Sequence, residues 1–283
     1  MKIFRQIHRA VTDSDQSWIY SIESVARQDL LGGLARWRLW NFIALSDIKR
    51  RYRRTRLGPF WTSLSLLIFV TAIGVLYATL WRMPVKIYLP YLTAGLMVWW
   101  PIATTMNDSA GALLSGTAML RQMRIPISVF IFAQSWKNII IFGHHMVVFC
   151  LMILVLDVPV NLNTLLVIPA IFLVGINGVW LGIFLGMVCC RFRDVQILIP
   201  LMLQVLSMLT PIFYPKDLVP LVMQLLLVYP NVFFHFADIV RSPLLGQAPE
   251  LISWGVVLAV TVIGWTFTIR FLNKYRKRVI YWL

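Results

Sequence analysis

LGPFWTSLSLLIFVTAIGVLYATLW, residues 57–81, holds no charged side chain over its whole length. As a helix rising about 1.5 Å per residue, it exceeds the roughly 30 Å of bilayer hydrocarbon. Pro59 falls in the first turn, where a missing N–H costs little. The direct reading is a membrane-spanning helix, and the rest of the chain repeats it. Further apolar runs cover about 89–114, 129–156, 165–190, 195–213 and 251–271. The fourth run carries Gly175, Gly178, Gly182 and Gly186, small residues that permit close helix approach.

Composition agrees. Of 283 residues, 59% are apolar and only 13% charged. A mean hydropathy of +0.77 leaves too few polar groups to cover a water-facing surface. This excludes a soluble enzyme, a disordered chain, and a nucleic-acid binder with its basicity spread over a solvated face. Cys150, Cys189 and Cys190 lie in apolar runs, with no disulfide or zinc spacing. Cys189 and Cys190 adjoin a basic loop and are either acylated or inert. The first residues, MKIFRQIHRAVTDSDQS, lack the apolar core of a signal peptide, so the first span is expected to direct insertion.

Between spans 5 and 6, Pro215, Pro220, Pro230 and Pro243 cut residues 216–243 into short apolar pieces. Each is too short to cross and fits a re-entrant or interfacial hairpin. Ahead of span 1, Leu34, Trp37, Ala44, Leu45, Ile48 and Tyr52 fall on one helical stripe. This predicts an amphipathic helix over 33–56 lying in the membrane interface, or else an extension of span 1. The expected fold is all-α integral membrane, with six transmembrane helices, that interface helix and that hairpin. Its divisions are a cytoplasmic segment 1–32, the interface helix 33–56 and a transmembrane domain 57–283, ending in a tail at 272–283.

Lys and Arg number 26 against 11 Asp and Glu, a net charge of +15. With the N-terminus inside, the inner segments hold 21 of the bases and the outer ones only Arg82, Lys86, Lys216 and Arg241. That asymmetry predicts both termini in the cytoplasm. Anionic headgroups account for the charge, so no nucleic-acid partner is needed.

No catalytic site is readable. The phosphate loop G-x-x-x-x-G-K-[ST] is absent. His144 and His145 are neighbours on a helix and point about 100° apart, a poor metal pair. Asp108 is either a functional acid or a solvated helix end, and Lys137 either snorkels or pairs. Trp61, Tyr77, Trp99, Trp100, Phe213 and Tyr214 could line a passage or simply anchor the protein at the interfaces. The basic connection 115–127, with Arg121, Met123, Arg124, Ile125 and Pro126, is either a plain turn or a docking element for a cytoplasmic partner.

KRRYRRTRLGPFW at 49–61 resembles the start of the membrane subunits of type-2 ABC exporters of bacterial polysaccharide, most like those for O-antigen and lipopolysaccharide. RQMRIP at 121–126, Trp136-Lys137-Asn138, RFRD at 191–194 and PIFYP at 211–215 resemble theirs in the same order. The resemblance implies a permease homodimer in the bacterial inner membrane with two copies of a separate ATPase subunit. This chain would bind no cofactor itself, and ATP and Mg²⁺ would sit on the partner. The cargo would be an undecaprenyl-type lipid-linked polysaccharide. The aromatic residues above would line the substrate channel, formed mainly by spans 1 and 5. Residues 115–127 would be the coupling helix. Arg50, Arg51, Arg53 and Arg54 would meet the lipid phosphate at the inner face. Competing readings are an exporter of capsule or teichoic-acid polymer, a small-molecule (drug) ABC exporter, a secondary transporter and a membrane glycosyltransferase.

Overall fold

The computed structural model describes residues 25–123 and 125–283. Residues 1–24 of the expected cytoplasmic segment, and Arg124 of the connection, lie outside the described residues. Every regular element among the described residues is helical. In chain order these are α1 (Val25–Ala35), α2 (Trp37–Tyr52), α3 (Phe60–Leu80), α4 (Val85–Ser115), α5 (Thr117–Gln122), α6 (Ser128–Leu156), α7 (Val167–Arg191) and α8 (Arg193–Leu209). Then follow α9 (Leu221–Val228), α10 (Val232–Leu244) and α11 (Leu251–Trp282).

Four helices are long and apolar enough to cross a membrane: Phe60–Leu80, Ser128–Leu156, Leu162–Arg191 and Leu251–Trp282. Only 22–28% of their most apolar stretches is buried inside the protein. Ile68, Leu154, Ile168, Phe172, Ile263 and Phe267 point outward at more than half exposure. Water would penalise such a surface and lipid does not, so this is an integral membrane protein. The other two expected spans fall short of that standard for different reasons. α4 has ample length, but Tyr88, Tyr91, Trp99, Trp100, Pro90 and Pro101 dilute its apolarity. α8 stops after 17 residues, about 25 Å, when the chain turns at Thr210.

α4 is the hub of the bundle. It packs against α3, α6, α7, α8 and α10, and its residues Tyr88 to Trp99 are almost continuously buried. A helix covered by protein has no need of a purely apolar surface. The glycines of α7 supply the close approach: a Cβ on Gly182 would lie 2.7 Å from Ser109 Oγ, and one on Gly186 3.2 Å from the Ser109 carbonyl. Gly178 also faces α4, whereas Gly175 has open space beside it.

The expected helix over 33–56 takes another form. The chain is already helical at Val25, the first described residue, breaks at Arg36, and leaves the helix after Tyr52. The proposed stripe also divides. Ala44 and Ile48 are buried, while Leu34, Trp37 and Leu45 are exposed. Tertiary packing decides this: α2 lies along α6, with Trp40 edge-on to Trp136 at 5.9 Å and Trp136 Nε1 donating to Asn41 Oδ1 at 2.8 Å. After the turn at 210–220, α9 and α10 meet at a bend of 103°. Asn231 caps α10 by accepting from Phe233 N at 2.9 Å. The last helix runs unbroken through the expected tail to Trp282.

Candidate functional site

Short connections make the helices run up and down, so the residues of interest gather at two ends. The basic end carries α1, α2, α5 and the end of α11. The far end carries the turns at 81–84, 157–163 and 210–220, together with the hairpin.

At the far end, Tyr77 stacks on Trp81 with centroids 6.3 Å apart and meets Phe213 at 6.3 Å. All three rings are half-buried. The turn bearing Phe213 and Tyr214 is held by its backbone. Tyr88 Oη donates to the Phe213 carbonyl, and Tyr91 Oη to the Tyr214 carbonyl at 3.0 Å. Trp99 is buried edge-on against Phe233 at 5.6 Å.

At the basic end, Trp61 and Trp100 border a cleft of about 340 Å³, with Arg51, Tyr52 and Thr62 at its rim. Trp61 is 43% exposed. Trp100 packs against Phe69 at 6.0 Å and the ring of His145 at 5.5 Å. Of the four arginines, Arg51 reaches this cleft. Arg50 pairs with Asp47 at 2.6 Å, one turn back on α2. Arg53 and Arg54 lie exposed beyond the helix end.

The connection 115–127 contains one short helix, α5, with Arg121 exposed on it and Met123 half-buried beyond it. Ile125 is buried, and Pro126 half-buried beside Gly32. Behind them stands a residue that the sequence did not single out. Asp29, 5% exposed, accepts from Ile127 N at 3.1 Å and Ser128 N at 3.0 Å, which caps α6. It also pairs with Arg276, whose Nη2 donates to the Ile125 carbonyl at 3.2 Å. Ala26 N donates to Asn273 Oδ1 at 2.7 Å. The connection is thus fixed from behind by α1 and α11. The available signal was a lone acid amid basic flanks.

The two ambiguous charges resolve together. Lys137 Nζ lies 2.9 Å from Asp108 Oδ2, and Gln134 Nε2 donates to the same oxygen. Asn138 Nδ2 donates to Thr105 Oγ1 at 2.8 Å, so α4 and α6 are joined twice. His144 and His145 diverge as expected, His144 toward Phe60 and His145 toward Trp100. Cys189 and Cys190 are buried, which favours the inert reading of both thiols.

Comparison with known proteins matches this arrangement. The family model for the ABC-2 type transporter aligns with residues 39–245. One relative, the O-antigen export system permease protein RfbA of Klebsiella pneumoniae, is 22% identical over 251 residues, covering 83% of this chain and 91% of that protein. A second protein of the same name and organism is 24% identical over 190 residues, covering 63% of this chain and 69% of its own length. The apolar helices, the short basic connection and the extent of the family match carry one conclusion: this chain belongs to the ABC-2 type transporter membrane family.

Proposed function

We propose that the chain is the membrane subunit of an ATP-driven exporter that moves lipid-linked polysaccharide of O-antigen type across the bacterial inner membrane. It works as a homodimer with two separate ATPase subunits, which hold the ATP and Mg²⁺. The carrying observation is likeness to two O-antigen export permeases over most of the chain, the better covered at 83%. In this reading the chain crosses the membrane six times, with α4 and α8 completing the set and both termini cytoplasmic. α9 and α10 form a re-entrant hairpin on the outer side.

Physical features support the reading. α3 and α8 both pack on α4 and leave Ile68, Leu76, Leu201 and Val205 exposed. A second copy would cover these faces, and the aromatic pair Tyr77 and Phe213 would lie at the resulting seam. Aromatic faces suit a moving sugar chain because they offer apolar contact without fixed hydrogen bonds. ATP binding on the partners would push on residues 115–127. Their rigid fastening to α1, α6 and α11 would pass that push to the spans.

Deletion of the gene provides the test. The expected outcome is loss of surface glycan with accumulation of lipid-linked polymer inside, and co-purification of the tagged protein with an ATPase subunit. A complete glycan coat in the deletion strain would overturn the proposal. The variant Arg121→Glu should abolish export while the protein still inserts.

A further inference from the structure

Midway along the bundle, α4, α6, α7 and α10 enclose a cavity of about 220 Å³. Ile102, Met106, Phe142, Ile171, Val174 and Phe233 contribute half-buried apolar wall. On α7 the lining runs from Ile171 to Leu181, about 15 Å of helix, so the space is long in the direction of the helices. The polar side chains at the wall are turned to protein. Thr105 Oγ1 accepts from Asn138 Nδ2 at 2.8 Å. Asn177 Nδ2 donates to the Leu173 carbonyl at 2.9 Å and to Thr261 Oγ1 at 2.7 Å, and its Oδ1 accepts from Trp180 Nε1 at 2.7 Å. Ser135 Oγ and Asn138 Oδ1 are buried behind the wall. A sugar or a charged headgroup would lose its hydrogen bonds here, and water would find too few partners to stay.

The open side of the cavity faces lipid. Ile139 of α6 borders it and is 47% exposed. Gly175 of α7 borders it too, and a Cβ there would meet nothing within 4 Å. Gly175 follows Phe172 and Ile168 by one and two turns of helix, and both of those side chains are more than half exposed. α3 and α8, whose faces the proposed second copy would cover, contribute no residue to the lining. The medium at the mouth is therefore bilayer hydrocarbon. An empty apolar void forfeits dispersion contacts along every wall, which a flexible hydrocarbon chain restores. We propose that this cavity is a binding site for one acyl chain of a bilayer phospholipid. The chain enters between Ile139 and Gly175 and lies along α4, while its headgroup stays at the membrane surface. Through Phe233 the bound chain also braces the hairpin helix α10. The site does not depend on what the transporter carries.

The test places the full chain in nanodiscs of phosphatidylglycerol bearing a photoreactive diazirine midway along one acyl chain. After irradiation, labelled residues are mapped by mass spectrometry. Label should appear on Ile102 and Met106 of α4, behind α6 and α7, as well as on the outward-facing Leu154 and Ile263. Gly175→Leu sets a side chain across the mouth and should lose the α4 label. Ile139→Trp narrows the mouth from the opposite side and should act alike. Retained label on Leu154 and Ile263 shows that each variant is inserted. Gly143→Leu also enters open space, but outside the cavity, and should keep the α4 label. Adding unlabelled undecaprenyl phosphate should leave that label in place. Label confined to the outward-facing residues of the unaltered protein overturns the site. So does an α4 label that survives both mouth variants, or that Gly143→Leu removes equally. Displacement by undecaprenyl phosphate would assign the cavity to a polyprenyl tail and overturn the phospholipid assignment.

Discussion

Arg241 sits over Tyr91, its guanidinium carbon 4.2 Å from the ring centroid and Nη1 2.6 Å from the phenolic oxygen. It is buried, and Nη1 also donates to the Pro211 carbonyl at 2.8 Å. From sequence alone, Arg241 counts as one of the four bases in the outer segments. In the fold it is an internal strut that ties α10 to α4 and to the turn bearing Phe213 and Tyr214.

Gly95 makes room for that strut, since a Cβ there would lie 2.6 Å from Arg241 Nη2. Two hydrogen bonds and a ring contact hold the guanidinium, so it cannot swing aside freely. Gly95→Ala should lower stability by about 1–3 kcal/mol, the usual range for overpacking. In an Arg241→Met background the same change should cost much less. Thermal unfolding of the purified protein in a double-mutant cycle measures the difference. Equal costs in both backgrounds would reject the strut.

Asp108 and Lys137 test the joint between α4 and α6. The Lys137 side chain is 13% exposed and that of Asp108 36%, so solvent screens the pair only in part. Asp108→Ala strands a mostly buried ammonium and should cost roughly 1–3 kcal/mol. Removing both charges, with Asp108→Ala and Lys137→Met together, should cost less than the single change. Chemical denaturation of the two variants against the unaltered protein decides the order.

At the far end, Lys216 pairs with Glu250, the residue that precedes α11. Burial pulls the Lys216 ammonium toward neutrality, but the Glu250 carboxylate outweighs it and raises the pKa above 10.5. A raised folded-state value means the stabilisation is fully present below pH 10.5 and lost as pH climbs through the folded value. The side chains are still 30% and 35% exposed, which keeps the effect under about 1 kcal/mol. The stability gap between the unaltered protein and Lys216→Met should therefore be flat from neutral pH to pH 9 and close only in strong alkali. A gap that closes at lower pH would contradict this sign.

Much of the bundle was legible, and the limits have physical causes. Span-length runs with little protein cover, such as α3 and α6, announce themselves because lipid demands apolar residues on the faces it meets. The hub α4 was harder to delimit, because protein cover permits prolines and aromatic hydroxyls in its middle. Neighbouring residues also part company: Trp99 enters the core and Trp100 faces the cleft, a choice fixed by helix rotation rather than composition. The joints Asp108–Lys137 and Asp29–Arg276 are separated by 29 and 247 residues. Local pattern carries no information about partners so far apart.

Under the proposed function, the longest of those joints bears on how force would enter the bundle. Asp29 is the acceptor for α6's first free N–H groups and the partner of Arg276. Asp29→Asn keeps the size of the side chain but removes the charge and turns one acceptor into a donor. The amide NH₂ would then face either an N–H of α6 or the Arg276 guanidinium. A buried pair broken on one side costs about 3–5 kcal/mol, and the 16% exposure of Arg276 places this case toward the lower figure. Hydrogen exchange should accelerate first over residues 115–128, because those N–H groups lose their cap, while α3 and α7 stay protected. In the assembled transporter, the ATPase should keep turning over while export falls, since the push would meet a loosened connection. Uniform acceleration of exchange across all helices would show instead that Asp29 supports the whole fold and not this joint.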